Sequence, residues 1–489
     1  MKKKYIILSI IVLVLLITFV TSFNYFKTSN NYVEDSVNNQ TKITKGISMN
    51  LEQTAGAGDY KTVTQSSWPT KGYKFNAELS RCEKGSELSW DDTKKAVIVS
   101  GNLSDKCYVY FDIYQPKLAE YIKSQYTGTQ GDNALYYHNS TLTNGAGDNS
   151  YRYAGGDYVL TEAGKATGAT MMIGYNNSVT TALIDFYCNG TKQYVGYASS
   201  CSTSHYYLIK GDTTQYQTYN EALNASVEKG YLTKDNVKNF VCFGSDATTC
   251  PTENLYRIIG VFNNHVKLIK YDYAKSSLLG TDGDFSQEYT SNYFSGEQGE
   301  SPSSNSLYYW NNAGTNTWSA SKLNTVNLNT NFTTNIGTAW ANKIATTTWK
   351  VGGGTYANLR DAVPKTAYQY EVGSSASTTT YDAKIGLMYV SDYYYSASPS
   401  AWTLVGYNSA YSKSYASAKG ENWLYGGGWD WTISRTSGDS YYAFLVNYRG
   451  SVGYDRVDYG SGVRPSFSLL SSTTYVSGSG SMSDPVRIN

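Results

Sequence analysis

Between Asp439 and Ser461 the chain gathers Tyr441, Tyr442, Asn447, Tyr448, Arg449, Tyr454, Asp455, Arg456, Asp458 and Tyr459 on one hairpin and its return loop. Tyrosine offers a large amphipathic area at low rotamer cost. Asn and Asp add adaptable hydrogen bonds, and Arg adds a planar set of donors. The chemistry this mixture supports is recognition. The plainer reading is an ordinary surface in a chain that holds 49 Tyr among 489 residues. Clustering of binding-loop residues on one loop-borne window favours a contact surface.

Bond-making chemistry finds less support. The chain has three His, at 138, 205 and 265, none near the window, so a Ser-His-Asp set has no base there. No Gly-x-Ser-x-Gly elbow occurs. Gly352-Gly353-Gly354 and Gly426-Gly427-Gly428 lack a following Lys-Ser or Lys-Thr and read as tight turns, not phosphate cradles. Asp282 and Asp284 flank Gly283 without the rest of an EF-hand loop, so a turn is the better reading than calcium. Asp430, between two tryptophans, reads as a hydrogen-bonding residue at a strand entry. Scattered carboxylates leave a paired-acid hydrolase open. No catalytic residue, metal ligand or cofactor is assigned.

The window needs a scaffold, and Trp423, Trp429, Trp431, Arg435, Gly462, Arg464 and Pro465 bracket it. The tryptophans read as core, and the arginines as buried groups satisfying loop carbonyls and a carboxylate. Strands are expected over 384–390, 431–435, 443–447 and 463–470, with Arg449-Gly450 as a turn. Upstream, Leu255 to Phe262 and Val266 to Lys270 meet across Asn263-Asn264, a strong hairpin signal. Wider apolar spacing predicts two short helices, over 318–332 and 340–349.

Lys2, Lys3 and Lys4 precede an uncharged run from Tyr5 to Phe23, long enough to cross a bilayer as one helix with its basic flank cytoplasmic. Cleavage after Val20-Thr21-Ser22 would instead make residues 1–23 a signal peptide. Either way the bulk of the chain is expected outside the cytoplasm, single-pass at the cell membrane or secreted. Six cysteines fall as close neighbours, Cys82 and Cys107, Cys188 and Cys201, Cys242 and Cys250. Fifteen pairings exist for six cysteines, and neighbour pairing is the simplest of them. An oxidising compartment agrees with that reading. A formal charge of +1 and no basic stripe argue against nucleic acid as a partner.

The organisation expected is mixed α+β and β-dominated. Residues 1–23 form the anchor or signal and 24–58 a polar stalk. A β-sandwich module stapled by Cys82 and Cys107 occupies 59–115, with Ala96 to Val99 and Tyr108 to Tyr114 as strands joined through Gly101-Asn102. The larger unit spans 116–489 and opens on a short helix at Leu118 to Ile122. An inserted lobe at about 156–236 carries Cys188, Cys201 and a helix over 219–230.

Trp431-Thr432-Ile433-Ser434-Arg435, a Ser/Tyr/Asn hairpin centred on Gly450, then Gly462-Val463-Arg464-Pro465 and a final strand, resembles the end of bacterial C-type-lectin-like domains. The Trp318 and Trp340 helices and the 255–270 hairpin fit the same arrangement. The resemblance covers Asp132 to Asn489 without the insertion, and Gly-Val-Arg-Pro is its most specific piece. The chain also looks like anchored surface proteins of Gram-positive bacteria that carry this domain after a small β-module.

Two branches of that superfamily suggest activities. In the target proteins of diversity-generating retroelements a variable C-terminal repeat is rewritten at adenines, which turns Asn codons into Tyr, Asp, Ser and Gly codons. That palette matches the window. In the formylglycine-generating enzymes the copper-binding cysteines lie in the C-terminal half, whereas here none follows Cys250. The calcium-dependent sugar site of animal C-type lectins needs a Glu-Pro-Asn or Gln-Pro-Asp triplet, and neither occurs. The resulting expectation is a non-enzymatic, membrane-anchored adhesin or receptor that binds a protein or glycan on another cell or surface. A structural or pilus-associated protein with no dedicated ligand is the alternative.

Overall fold

The computed structural model describes residues 46–489 except 55, 65–66, 70–71, 102–103, 175–179, 194–200, 202–203, 235, 290–304, 406–421 and 448–449. The apolar run at 5–23 and most of the expected stalk lie outside the described residues. Among the described residues no helix is long and apolar enough to cross a membrane. The fold is β-dominated, with few helices and three disulfides. The chain divides into two compact units, Met1–Pro116 and Lys117–Asn489.

The first unit starts earlier than its composition indicates. Ile47–Glu52, inside the range read as stalk, is a strand with four buried residues that runs parallel to Cys107–Ile113 and antiparallel to Tyr60–Val63. Alternating Met49 and Leu51 supply the apolar face that makes this segment fold, a period-2 signal masked by its polar flanks. Tyr73–Cys82 completes the four-stranded sheet on the other side of Cys107–Ile113. Ala96–Ser100 does not join that sheet. It pairs with Glu87–Asp91 across the turn at 92–95, where Lys95 takes a positive φ of 50°. Met49, Leu51, Val97, Val109 and Phe111 form the core, and Cys82–Cys107 links directly opposed residues of neighbouring strands.

The second unit is built on a seven-stranded sheet. Its order is Ile385–Gly386, Ser466–Ser468, His265–Lys270, Leu255–Phe262, Tyr151–Tyr153 and Leu135–Tyr137, with Phe240–Cys242 also paired to Leu255–Phe262. The Asn263-Asn264 turn has φ of 47° and 66°, the left-handed pair that Asn tolerates in a tight hairpin. Strand Leu255–Phe262 is buried along seven of its eight residues, so its run of Ile and Val packs on both faces.

The helices differ from their expected extent. Trp318–Ala320 is a single 3-10 turn, followed by a wide π-helix over Leu323–Phe332 that Thr333–Asn335 continues. Around Trp340 the helix is one turn, Thr338–Ala341, and Thr347–Lys350 is a strand paired to Thr380–Ala383. The β-branched run Thr346-Thr347-Thr348 explains the change. The segment expected as a strand over 384–390 keeps only Ile385–Gly386 before the helix Val390–Tyr395 begins.

The stretch at 156–236 has a core of its own, centred on Leu183, Ile184, Phe186, Tyr207 and Ala222. Its ends meet, since Val159–Leu160 pairs with Leu232–Thr233. Cys188–Cys201 lies within it, and the helix Tyr219–Glu228 is opened by a Thr218/Glu221 capping box. Arg257 anchors its base, donating to both oxygens of Asp157 at 2.5 and 2.7 Å.

Candidate functional site

The window rests on a three-stranded antiparallel sheet, Asp430–Arg435, Tyr442–Val446 and Val452–Arg456. Ala443, Phe444, Leu445 and Val446 are all buried, so the central strand is covered on both faces. Below it, Arg464 donates from Nε to Asp430 at 2.6 Å and from Nη2 to the Leu424 carbonyl at 2.6 Å. Burial pushes the Asp430 carboxyl up, and the Arg464 guanidinium opposes that shift. The Trp431 indole donates to the Tyr308 carbonyl and Pro465 accepts from the Lys270 amide. Arg435 is half-buried and donates to the carbonyls of Val351 and Thr436 and to Asn316 Oδ1, and among the described residues it has no carboxylate partner. Trp429 is half-buried beside this frame.

Tyr448 and Arg449 lie outside the described residues. Asn447 is buried, its carbonyl accepting from the Gly450 amide and its Oδ1 from the Ser451 amide. Tyr393 donates to the Gly450 carbonyl at 2.7 Å and ties that glycine to the core. Asn447 thus shapes, through its carbonyl and Oδ1, the turn that Gly450, at φ 75°, completes.

Among the described residues, an accessible face lies at the other end of the same strands. Tyr441, Tyr459 and Tyr454 are 59%, 51% and 38% exposed. Tyr442, Asp455 and Asp458 are half-buried and Arg456 is exposed. Arg456 forms a two-pronged pair with Asp458 at 2.9 and 2.6 Å, and its guanidinium lies 5.4 Å from the Tyr459 ring. The Asp458 pair raises the Arg456 guanidinium, and partial burial raises the Asp455 carboxyl.

Three further residues complete this face. The Tyr356 ring lies 4.4 Å from that of Tyr454, and Tyr454 meets Tyr442 edge-on at 5.4 Å. Arg360 lies over both Tyr356 and Tyr454 at 4.9 and 5.1 Å, held in plane by Asp361 at 2.7 and 2.8 Å. Asn316 donates from Nδ2 to the carbonyls of Thr436, Asp439 and Tyr442, which fixes the loop that presents Tyr441. No local pattern marks these residues, because their role depends on strands far downstream.

Gly352-Gly353-Gly354 serves the same scaffold. Gly353 has φ of 64° and a side chain there would overlap the Arg435 carbonyl, to which the Gly354 amide donates. Asp284 accepts from the Leu323 and Asn312 amides and Asp282 from Asn331, so both carboxylates brace loops. Among the described residues no group of three or more His, Cys, Asp and Glu is arranged to hold a metal ion. The arrangement offers stacking, cation–π contact and hydrogen bonding on a preset surface. No family model, curated protein or solved structure matches the chain.

Proposed function

We propose that this chain is a membrane-anchored extracellular binding protein, an adhesin or receptor without enzymatic activity, whose second unit is a C-type-lectin-like scaffold behind a small β-sandwich module. The observation that carries the reading is the layered contrast at the window. A buried frame of Trp431, Asp430 and Arg464 underlies an exposed patch of Tyr441, Tyr454 and Tyr459 interleaved with Arg360 and Arg456. Exposed, pre-stacked Tyr and Arg are the side chains that dominate binding energy at protein contacts. Charge in the patch is balanced by Asp361 and Asp458, which suits a protein or glycan surface over a polyanion.

The test is adhesion of the full-length chain to a panel of cell surfaces and immobilised glycans, alongside a Tyr454→Ala/Tyr459→Ala double variant. Binding that falls at least roughly tenfold in the variant, with unchanged melting, supports the reading. Equal binding by both proteins refutes it. Amplicon sequencing of codons 425–470 across the source population tests the diversified form of the proposal. Substitutions should concentrate at the exposed Tyr441, Tyr454 and Tyr459 codons and spare the buried Gly450, Ser451 and Val452.

A further inference from the structure

A second concavity lies in the same unit, lined by residues that the window does not use. It encloses about 310 Å³ among Arg152, Phe262, Lys267, Trp349, Tyr368 and Asp392. Four charged side chains run through it in alternating sign. Asp148 accepts from Arg152 Nη2 at 2.6 Å, Arg152 Nη1 approaches Asp392 at 4.0 Å, and Lys267 Nζ donates to Asp392 at 2.5 Å. Aromatic rings wall the chain of charges. Arg152 lies 4.7 Å from the Phe262 ring and 5.3 Å from Tyr368, while Lys267 lies 5.3 Å from Trp349 and 4.6 Å from Tyr389.

Each of these buried ions costs several kcal/mol of desolvation, and a packed apolar cluster of the same volume would stabilise the fold at least as well. The two cations that line the cavity hold more N–H groups than the network's bonds use. Lys267 carries three N–H groups and gives one to Asp392. Arg152 gives Nε to Ser150 and Nη2 to Asp148. Two cations and two carboxylates balance, so a charged ligand would have to break an existing pair. A neutral molecule with several hydroxyls can accept from Arg152 and Lys267, donate to Asp392, and lay its C–H face on an aromatic ring without disturbing that balance. The volume is at the lower end of ligand pockets, roughly 300–1,000 Å³. It suits a single pyranose ring.

We propose that the cavity bounded by Arg152, Lys267, Trp349, Tyr368 and Asp392 is a second binding site of this chain, for one neutral sugar residue. Thr347, half-buried on the Thr347–Lys350 strand and on the same face as Trp349, lines its edge. Saturation-transfer NMR on the full-length chain, with glucose, galactose and N-acetylglucosamine as neutral probes and glucuronate and glucosamine as charged ones, tests this. The expected result is transfer from at least one neutral sugar in preference to the charged pair. Binding should weaken at least tenfold in Thr347→Trp, which adds bulk to the lining from a half-buried position, with unchanged melting. Tyr368→Ala, which removes one wall, should weaken it in the same direction, and Tyr454→Ala in the window should leave it intact. Absence of transfer from every neutral probe, stronger transfer from a charged one, or binding lost in Tyr454→Ala and kept in Thr347→Trp would overturn the assignment.

Discussion

The Tyr356 ring sits 4.4 Å from the Tyr454 ring, centroid to centroid, and Arg360 caps the pair from 4.9 and 5.1 Å. A loop outside the hairpin thus supplies half of the stack that orients the most central tyrosine of the exposed face. An aromatic pair of this kind contributes about 0.5–1.5 kcal/mol beyond its buried area. A double-mutant cycle of Tyr356→Ala and Tyr454→Ala, read by chemical denaturation, should give a coupling energy in that range. Additive effects would show that the two rings touch without supporting one another.

Arg464 and Asp430 make a different kind of contact, because both are buried. Truncating one partner leaves the other charge without its counter-ion, and such losses run to about 3–5 kcal/mol. Arg464→Ala should therefore lower the melting temperature of the second unit far more than Arg456→Ala, whose pair with Asp458 is exposed. Differential scanning calorimetry of the two variants decides it. Equal shifts would mean that Arg464 is solvated in solution.

Much of this architecture was legible in the sequence, for identifiable reasons. The 255–270 hairpin announced itself through β-branched runs around Asn-Asn, and the neighbour pairing of cysteines follows the three bonds observed. Trp431 and Arg464 read as frame residues, and both are buried with partners. What failed was long-range. Ile47–Glu52 takes its place between Tyr60–Val63 and the distant Cys107–Ile113, and Ala96–Ser100 pairs with Glu87–Asp91 and not with the strand that follows it. Asn447 reads as a contact residue from its type, and its burial, with its carbonyl bonded to the Gly450 amide, has no local signal. Asn316, Tyr356 and Arg360 carry no local signal, since their partners are brought to them by the fold.

Reduction should act unequally on the three disulfides. Cys82–Cys107 spans 25 residues in a unit whose buried core is small, and Cys242–Cys250 spans 8 beside the large core of the second unit. Loop-closure entropy puts these at about 3–4 and about 2–3 kcal/mol. Hydrogen exchange read by mass spectrometry with and without reductant should show residues 47–113 losing protection before 255–270. Simultaneous loss would mean that the first unit does not depend on its disulfide.

Glu371 links stability to pH. Its buried carboxyl accepts from the Val390 and Ser391 amides and from the Ser434 hydroxyl, and burial outweighs these bonds to raise it from 4.5 to about 7. Between those values the folded chain holds a proton that the unfolded chain releases. This group's contribution is therefore greatest below pH 4.5 and is lost as pH rises through 7, by at most about 3 kcal/mol. Replacing it with Gln removes the titration while keeping the shape. The stability difference between wild type and Glu371→Gln, measured by urea denaturation at pH 5 and pH 8, should shift against the wild type at the higher pH. A difference independent of pH would place the Glu371 carboxyl in its ordinary range and the segment 389–391 in contact with water.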